Sequence, residues 1–282
     1  MNKLMIFSML GCISLAFAVS PIQRFTVDDS EVVAIQDATQ AIGAVLFGDD
    51  AGVQQTLAKL YPRNSAPSSV NVFLIRTEKR IILVDTGLGN QHGSFLSHAL
   101  DELHVNPAQV TDILLTHLHP DHIGGMISSV GQAIFPNATV WLSQEEFRGM
   151  KMGSRDASPL MRNVYLAYQR KLKLFKNEQE LFPGIVAWLA PGHTPGHSAF
   201  LLNGKFLFIG DLLHAAVWQF PRPDLCTKWD ANPEAAVIAR RKVLQQAQEK
   251  ELTIAGAHLP FPGVGTIQAG GDRGEFNFQP RR

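Results

Sequence analysis

Ten residues, Thr116-His117-Leu118-His119-Pro120-Asp121-His122-Ile123-Gly124-Gly125, constrain this chain more than any other stretch. They hold three of its ten histidines, together with an aspartate. The apolar run Ile113-Leu114-Leu115 leads in, and Pro120, Gly124 and Gly125 rule out a long regular helix. A buried strand ending in a tight, ligand-bearing loop meets both conditions. Imidazole and carboxylate are donors that borderline divalent metals prefer. The stretch reads as a metal site, and the remaining donors must come from elsewhere.

Strand-like runs over residues 70–75 and 80–84 lead to Asp85-Thr86-Gly87. Residues 184–189 run into Pro191-Gly192-His193-Thr194-Pro195-Gly196-His197. Residues 198–202 and 205–209 form a hairpin over Asn203-Gly204 and end at Gly210-Asp211. A last core strand over 252–255 stops before Gly256-Ala257-His258. Ligands displayed at strand ends are held rigidly by the sheet behind them.

Helical spacing predicts helices over 51–60, 94–103, 160–174 and 233–250, with Pro233 in the first turn of the last. Ser143 ahead of Glu145-Glu146 reads as a helix cap. Further strands are expected over 23–27, 31–35 and 138–142, and a hairpin about Gly270-Gly271-Asp272. Residues 64–69 read as a polar connection without special chemistry.

Seven donors stand at strand ends: His117, His119, Asp121, His122, His193, Asp211 and His258. One zinc ion would leave several of them over. Two ions use all seven, three histidines on one, two histidines and Asp121 on the other, and Asp211 between them. Each ion then keeps an open position for a shared water, which marks a catalytic rather than a structural centre.

The HxHxDH pattern from His117 to His122, with the later His193, Asp211 and His258, resembles the metallo-β-lactamase superfamily over roughly residues 70 to 260. The resemblance implies an αββα sandwich of α/β (α+β) class, two mixed β-sheets flanked by helices. It assigns His117, His119 and His193 to one metal ion, and Asp121, His122 and His258 to the other, with Asp211 bridging. The ions it implies are divalent, zinc first among them. Asp85 fits the family's buried strand-end aspartate, and His197 reads as a residue that supports the ligands. Class B β-lactamases commonly carry cysteine where Asp211 stands, so the chain departs from them there.

Gly210-Asp211-Leu212-Leu213-His214, Gln219-Phe220-Pro221 and Ala257-His258-Leu259-Pro260-Phe261-Pro262-Gly263 are similar to the branch that contains methyl parathion hydrolase, with acyl-homoserine lactonases close by. That implies hydrolysis of esters or lactones, acyl-homoserine or aromatic, by a hydroxide shared between the metals. Asp121 or Asp211 would carry a proton to the leaving alkoxide. The alternative electrophile is a phosphotriester or aryl ester. His214, Trp218, Phe220, Phe95 and Phe147 are expected to line the substrate pocket. A glyoxalase-type thioesterase or a persulfide dioxygenase shares the HxHxDH start, and a non-catalytic periplasmic metal-binding protein is the reading outside enzymes. The family also suggests a homodimer.

Residues 1–18 read as a secretory signal peptide, with Lys3 before an apolar run and Ala16-Phe17-Ala18 at the cleavage point. The rival reading, a lipoprotein signal at Cys12, fits less well. Residues 19–282 then form a single domain, periplasmic or secreted, with no membrane span. Losing Lys3 alone turns 25 basic and 25 acidic residues into 24 and 25. So neutral a surface argues against nucleic-acid and anionic-membrane partners, while the resemblance implies a small-molecule ester, lactone or phosphotriester substrate. Cys226 is left alone, so no intrachain disulfide is available.

Overall fold

The computed structural model describes residues 20–89, 93–271 and 274–281. The signal peptide expected at residues 1–18, the lipoprotein cysteine Cys12 and the turn residue Asp272 lie outside them.

Two seven-stranded sheets are laid down in chain order, one after the other. In the first, β1 (Ile22–Val27), β2 (Ser30–Gly43), β3 (Ser65–Arg76) and β4 (Ile81–Val84) pair antiparallel. Then β5 (Asp112–Leu114), β6 (Thr139–Ser143) and β7 (Leu172–Phe175) add parallel strands. In the second, β8 (Gln179–Phe182), β9 (Ile185–Leu189), β10 (Ser198–Leu202) and β11 (Phe206–Gly210) form an antiparallel run. β12 (Thr253–Gly256) lies parallel to β11, and β13 (Val264–Ala269) and β14 (Phe276–Pro280) close with antiparallel pairs.

The sheets pack face to face because their strands alternate. Phe73, Ile75, Val84 and Leu114 of the first meet Phe200, Phe206, Phe208 and Ala255 of the second. The outer face of the first sheet buries Val33, Leu74 and Leu83 against α2 (Leu96–Glu102) and α5 (Pro159–Tyr168). The outer face of the second buries Leu207, Ile209 and Ile254 against Ala239, Val243 and Leu244 of α7 (Pro233–Glu249). This is the αββα sandwich expected from the resemblance. None of the described helices is long and apolar enough to cross a membrane.

Two expectations fail, each through long-range strand pairing. The helix expected over 160–174 stops at Tyr168, and Leu172–Phe175 becomes β7, whose partner is β6 through Val140↔Leu172 to Ser143↔Phe175. An open sheet edge outweighs local helical spacing there. Residues 64–69 are not a simple connection, because β3 already begins at Ser65 and pairs with the long arm of β2. Pro67 is tolerated because β4 joins β3 only from Phe73 onward, so the missing N–H faces an unpaired edge.

Candidate metal centre

The ligand-bearing loops come from both sheets. β5 is buried on both faces, and the chain leaves it through His117 and His119 into a single helical turn, α3 (Pro120–Ile123), which carries Asp121 and His122. His193 follows β9, Asp211 follows β11 directly, and His258 follows β12. At the β11 end the backbone needs glycine. Gly210 has φ +51°, and a Cβ there would stand 2.6 Å from His197 Nε2 and 2.9 Å from Thr116 Cβ. That close approach lets the Asp211 N–H donate to His197 Nε2 at 2.9 Å.

The donors gather in two groups whose atoms lie within 4.8 Å of one another: His117, His119, His193 and Asp211, and then Asp121, His122 and His258. Ligands ~2.0–2.1 Å from a tetrahedral zinc ion stand ~3.3 Å apart. In the first group His193 Nε2 is 3.0 Å from His119 Nδ1 and 3.3 Å from Asp211 Oδ2, and His117 Nε2 is 3.7 Å from that oxygen. In the second, Asp121 Oδ2 is 3.3 Å from His258 Nε2 and 3.7 Å from His122 Nε2. Asp211 Oδ1 also lies 3.1 Å from His122 Nε2, so its carboxylate stands between the groups.

Hydrogen bonds behind the rings fix their tautomers. His122 Nδ1–H donates to Asp85 Oδ2 at 2.8 Å, His193 Nδ1–H to Asp230 Oδ1 at 3.1 Å, and His258 Nδ1–H to the Ser69 carbonyl at 2.9 Å. Each bond leaves an Nε2 lone pair facing inward. His117 Nε2, His122 Nε2 and Asp211 Oδ1 are buried with no hydrogen-bond partner. An orphaned buried polar atom costs ~1–3 kcal/mol. Several lone pairs converging on two points are therefore a chemical fit for two divalent cations.

The electrostatics agree. Burial favours neutral carboxyls, but the neighbouring histidines outweigh it and hold Asp121 and Asp211 well below the ordinary carboxylate range. Burial likewise opposes charge on His122 and His258, yet the aspartates outweigh it, raising His122 well above the usual value and His258 to about 10. Burial dominates at His119 and His214, lowered to about 4, and at His117, also lowered. Asp230, pushed up by burial but held by His193 and Arg240, sits at about 2.

The two residues expected to support the ligands do so. Asp85, at φ 59°, accepts from Thr116 N–H at 2.8 Å, from Thr116 Oγ1–H at 2.7 Å and from His122. Such a backbone conformation costs a non-glycine residue energy and clusters at functional sites. His197 is buried, donating from Nδ1 to the Ala190 carbonyl while Nε2 holds Asp211.

The aromatic walls are elsewhere. A cavity of 290 Å³ over the donors is lined by Gln40, His119, Pro120, Asp121, His193, Asp211, His214, Trp229 and His258. Of the expected walls only His214 is there, its Nε2 3.3 Å from Asp211 Oδ2. Trp218, on α6 (Ala216–Gln219), is fully buried against Phe47 and donates its indole N–H to the Leu57 carbonyl. Phe220 stacks on Phe278 at 5.0 Å. Phe95 and Phe147 pack against the core behind the first sheet. Trp218 and Phe220 gain more from complete burial than a half-open cavity offers.

The roles of four further residues, Glu146, Trp229, Ser68 and Asn71, escaped the sequence. Glu146, on α4 (Gln144–Gly149), accepts from Leu118 N–H at 3.0 Å, Thr194 Oγ1–H at 2.7 Å and Gly196 N–H at 2.9 Å, joining the His119 and His193 loops. The preceding Ser143 caps that helix as expected, accepting from Glu146 N–H at 2.9 Å. Trp229 is 42% exposed at the cavity mouth. Ser68 and Asn71 of β3 donate to the carbonyls of Gly256, His258 and Leu259, which fixes the His258 loop. Their only signal was an unusually polar strand end.

A family model described as the metallo-beta-lactamase superfamily matches residues 66–258. YobT of Bacillus subtilis, an uncharacterized protein, is 30% identical over 216 residues, covering 71% of this chain and 88% of that one. Beta-lactamase-like protein 2 homolog of Drosophila melanogaster is 31% identical over 146 residues, 51% of this chain, and the match spans 46% of its length. Among solved structures, the hydrolase AbOPH in the beta lactamase superfamily superposes with a TM-score of 0.81 at 31% identity, over 94% of this chain and 99% of that one. The dizinc quorum-quenching lactonase AidC, in complex with the product N-hexanoyl-L-homoserine, gives 0.80 at 26% identity, over 93% and 97%.

Proposed function

Since the chain belongs to the metallo-beta-lactamase superfamily, and its structural neighbours include a hydrolase and a dizinc lactonase, we propose that it is a dimetal hydrolase opening lactones and related carboxylic esters. The observation that carries this reading is the pair of converging donor groups with Asp211 between them. The likeness to a dizinc lactonase extends over nearly the whole of both chains, which favours a lactone over other electrophiles.

In this reading His117, His119 and His193 would hold one divalent ion, zinc first among the candidates, Asp121, His122 and His258 would hold the other, and Asp211 would contribute to both. Two such cations supply Lewis acidity, polarising a carbonyl and lowering the pKa of a water from ~15.7 toward neutrality. The chain's own residues do the rest. The backs of His122, His193 and His258 are held by Asp85, Asp230 and the Ser69 carbonyl, which limits how far these three rings turn on loading. Asp121, partly exposed at the cavity wall, is placed to pass a proton to the departing alkoxide. Trp229 and Gln40 form the sides against which the remainder of the substrate rests. A 290 Å³ space is near the lower bound of ligand pockets, ~300 Å³, and suits one small ring more than a polymer. We further propose export, on the strength of the charged, apolar and small-residue pattern in residues 1–18.

The test is a side-by-side assay of the zinc-loaded protein on N-acyl homoserine lactones, an aromatic lactone, phenyl acetate and a phosphotriester. The lactones should give the highest kcat/KM. His119→Ala and Asp211→Ala should each lower it by about 10²-fold or more while the fold persists by circular dichroism. Wild-type rates in either variant would refute the site, and a phosphotriester preferred over every lactone would refute the substrate class.

A further inference from the structure

The two donor groups are buttressed from behind in different ways, and one buttress reaches a distant element. His193 Nδ1–H donates to Asp230 Oδ1, and the other oxygen of Asp230 accepts from Thr227 N–H at 3.0 Å and lies 3.4 Å from Arg240 Nη2. Arg240 belongs to α7 and is 1% exposed, a guanidinium sealed inside the protein. Its Nε donates to the Leu212 carbonyl at 2.6 Å, and Nη1 to those of Pro223 and Leu225 at 2.8 and 2.9 Å. Its other partners among the described residues are neutral carbonyls or the Cys226 thiol, so among those residues Asp230 is the one carboxylate that balances this buried charge. On the other side Gly192, at φ +135°, lies so close to α7 that a Cβ would stand 2.1 Å from Ala236 N. The His193 loop is thus clamped to the start of the helix that carries Arg240.

The second donor group has no such connection. His122 leans on Asp85, and His258 on the Ser69 carbonyl. Ser69 lies in β3 and Asp85 directly follows β4, so both supports belong to the first-sheet side.

We infer that Asp230, charged and held by Arg240, is a positioning residue that sets the metal affinity of the His117–His119–His193 position without affecting the Asp121–His122–His258 position. The physical reason is that an ionised acceptor behind an imidazole fixes its orientation and raises its basicity as a ligand, and that losing such a partner costs 10–100-fold in metal affinity. Arg240 acts through Asp230 by holding its carboxylate aimed at His193. The inference rests on the dimetal reading above.

Zinc affinity is measured by competition with a chromophoric chelator on the full folded protein, with circular dichroism of the zinc-free form as the folding control. Wild type should bind two ions, and binding of none would overturn the dimetal reading together with this inference. Asp230→Asn keeps the size of the side chain and an acceptor for His193. It should weaken one of the two ions by about 10–100-fold and leave the other as in wild type. In a His258→Ala background, where the first position is the one preserved, Asp230→Asn should weaken the remaining ion by the same factor. In a His193→Ala background it should change nothing further. Arg240→Met should reproduce the loss, and Arg240→Lys should recover part of it. If Asp230→Asn leaves both ions at wild-type affinity, or weakens both alike, the inference is wrong even with two ions bound. It is equally wrong if Arg240→Met weakens binding and Asp230→Asn does not, because Arg240 then acts only as a loop tie.

Discussion

At the scale of single residues, protons and metal ions compete for the same lone pairs. In the metal-free protein His122 and His258 have pKa values above the ordinary histidine value, ~6.5, whereas His117, His119, His197 and His214 lie below it. A raised pKa gives stability that is present below ~6.5 and lost as pH climbs through the folded value. A lowered one penalises the folded state as pH falls below ~6.5, because the unfolded chain takes up those protons first. The metal-free protein should therefore melt highest near pH 6.5 and decline on both sides. Zinc needs neutral imidazoles, so loading should abolish the alkaline decline. Melting curves between pH 5 and 9, with and without chelator, check this, and an unchanged alkaline decline in the loaded protein would contradict it. Glu146 offers a second prediction. Three donors converge on its two oxygens, and Glu146→Gln must turn an N–H₂ toward at least one of them. The expected loss is about 1–3 kcal/mol in urea denaturation, with looser zinc binding. The clustering of the seven candidate donors was legible because each sits on a loop that leaves a strand end. Their supports were not, because the bonds from Leu118 to Glu146, His193 to Asp230 and His258 to Ser69 span 28, 37 and 189 residues.

At the scale of elements, local signals worked where capping or turn chemistry decided the outcome. The Asn203-Gly204 hairpin, the Ser143 cap and the Pro233 start all form as their sequences suggest. Elements decided by a partner strand did not read correctly, as β7 and the long arm of β3 show. Residues 64–69 carry too many serines for a confident strand, yet those serines are the grip on the His258 loop. The cap of α7 allows a clean test. Asn232 Oδ1 accepts from Ala235 N–H at 3.1 Å, while the Asn232 backbone N–H donates to the Gly192 carbonyl at 2.8 Å. Asn232→Ala removes the first bond and keeps the second, so it should cost ~1 kcal/mol of stability and leave the zinc content unchanged. A variant that lost zinc would show that the cap, and not the backbone bond, holds the loop.

At the scale of the molecule, two sheets are joined by an apolar seam, and at one end by the donor loops. His117, His119, Asp121 and His122 hang from the first sheet, and His193, Asp211 and His258 from the second. An ion in either group would hold both sheets at once. In mechanical language each ion is a cross-link, closing a large loop of chain much as a disulfide does. Cys226 is the single cysteine of the described residues and is unpaired. If the protein is exported as proposed, then with no disulfide among the described residues its durability there would rest on bound metal ions. Chelation should shorten the lifetime of the folded state against proteases and speed unfolding in urea, before any change in secondary structure is visible. At zinc a thousandfold above Kd, each ion would contribute ~4 kcal/mol. Survival in a zinc-poor environment, and not only turnover, would then be governed by the same seven side chains.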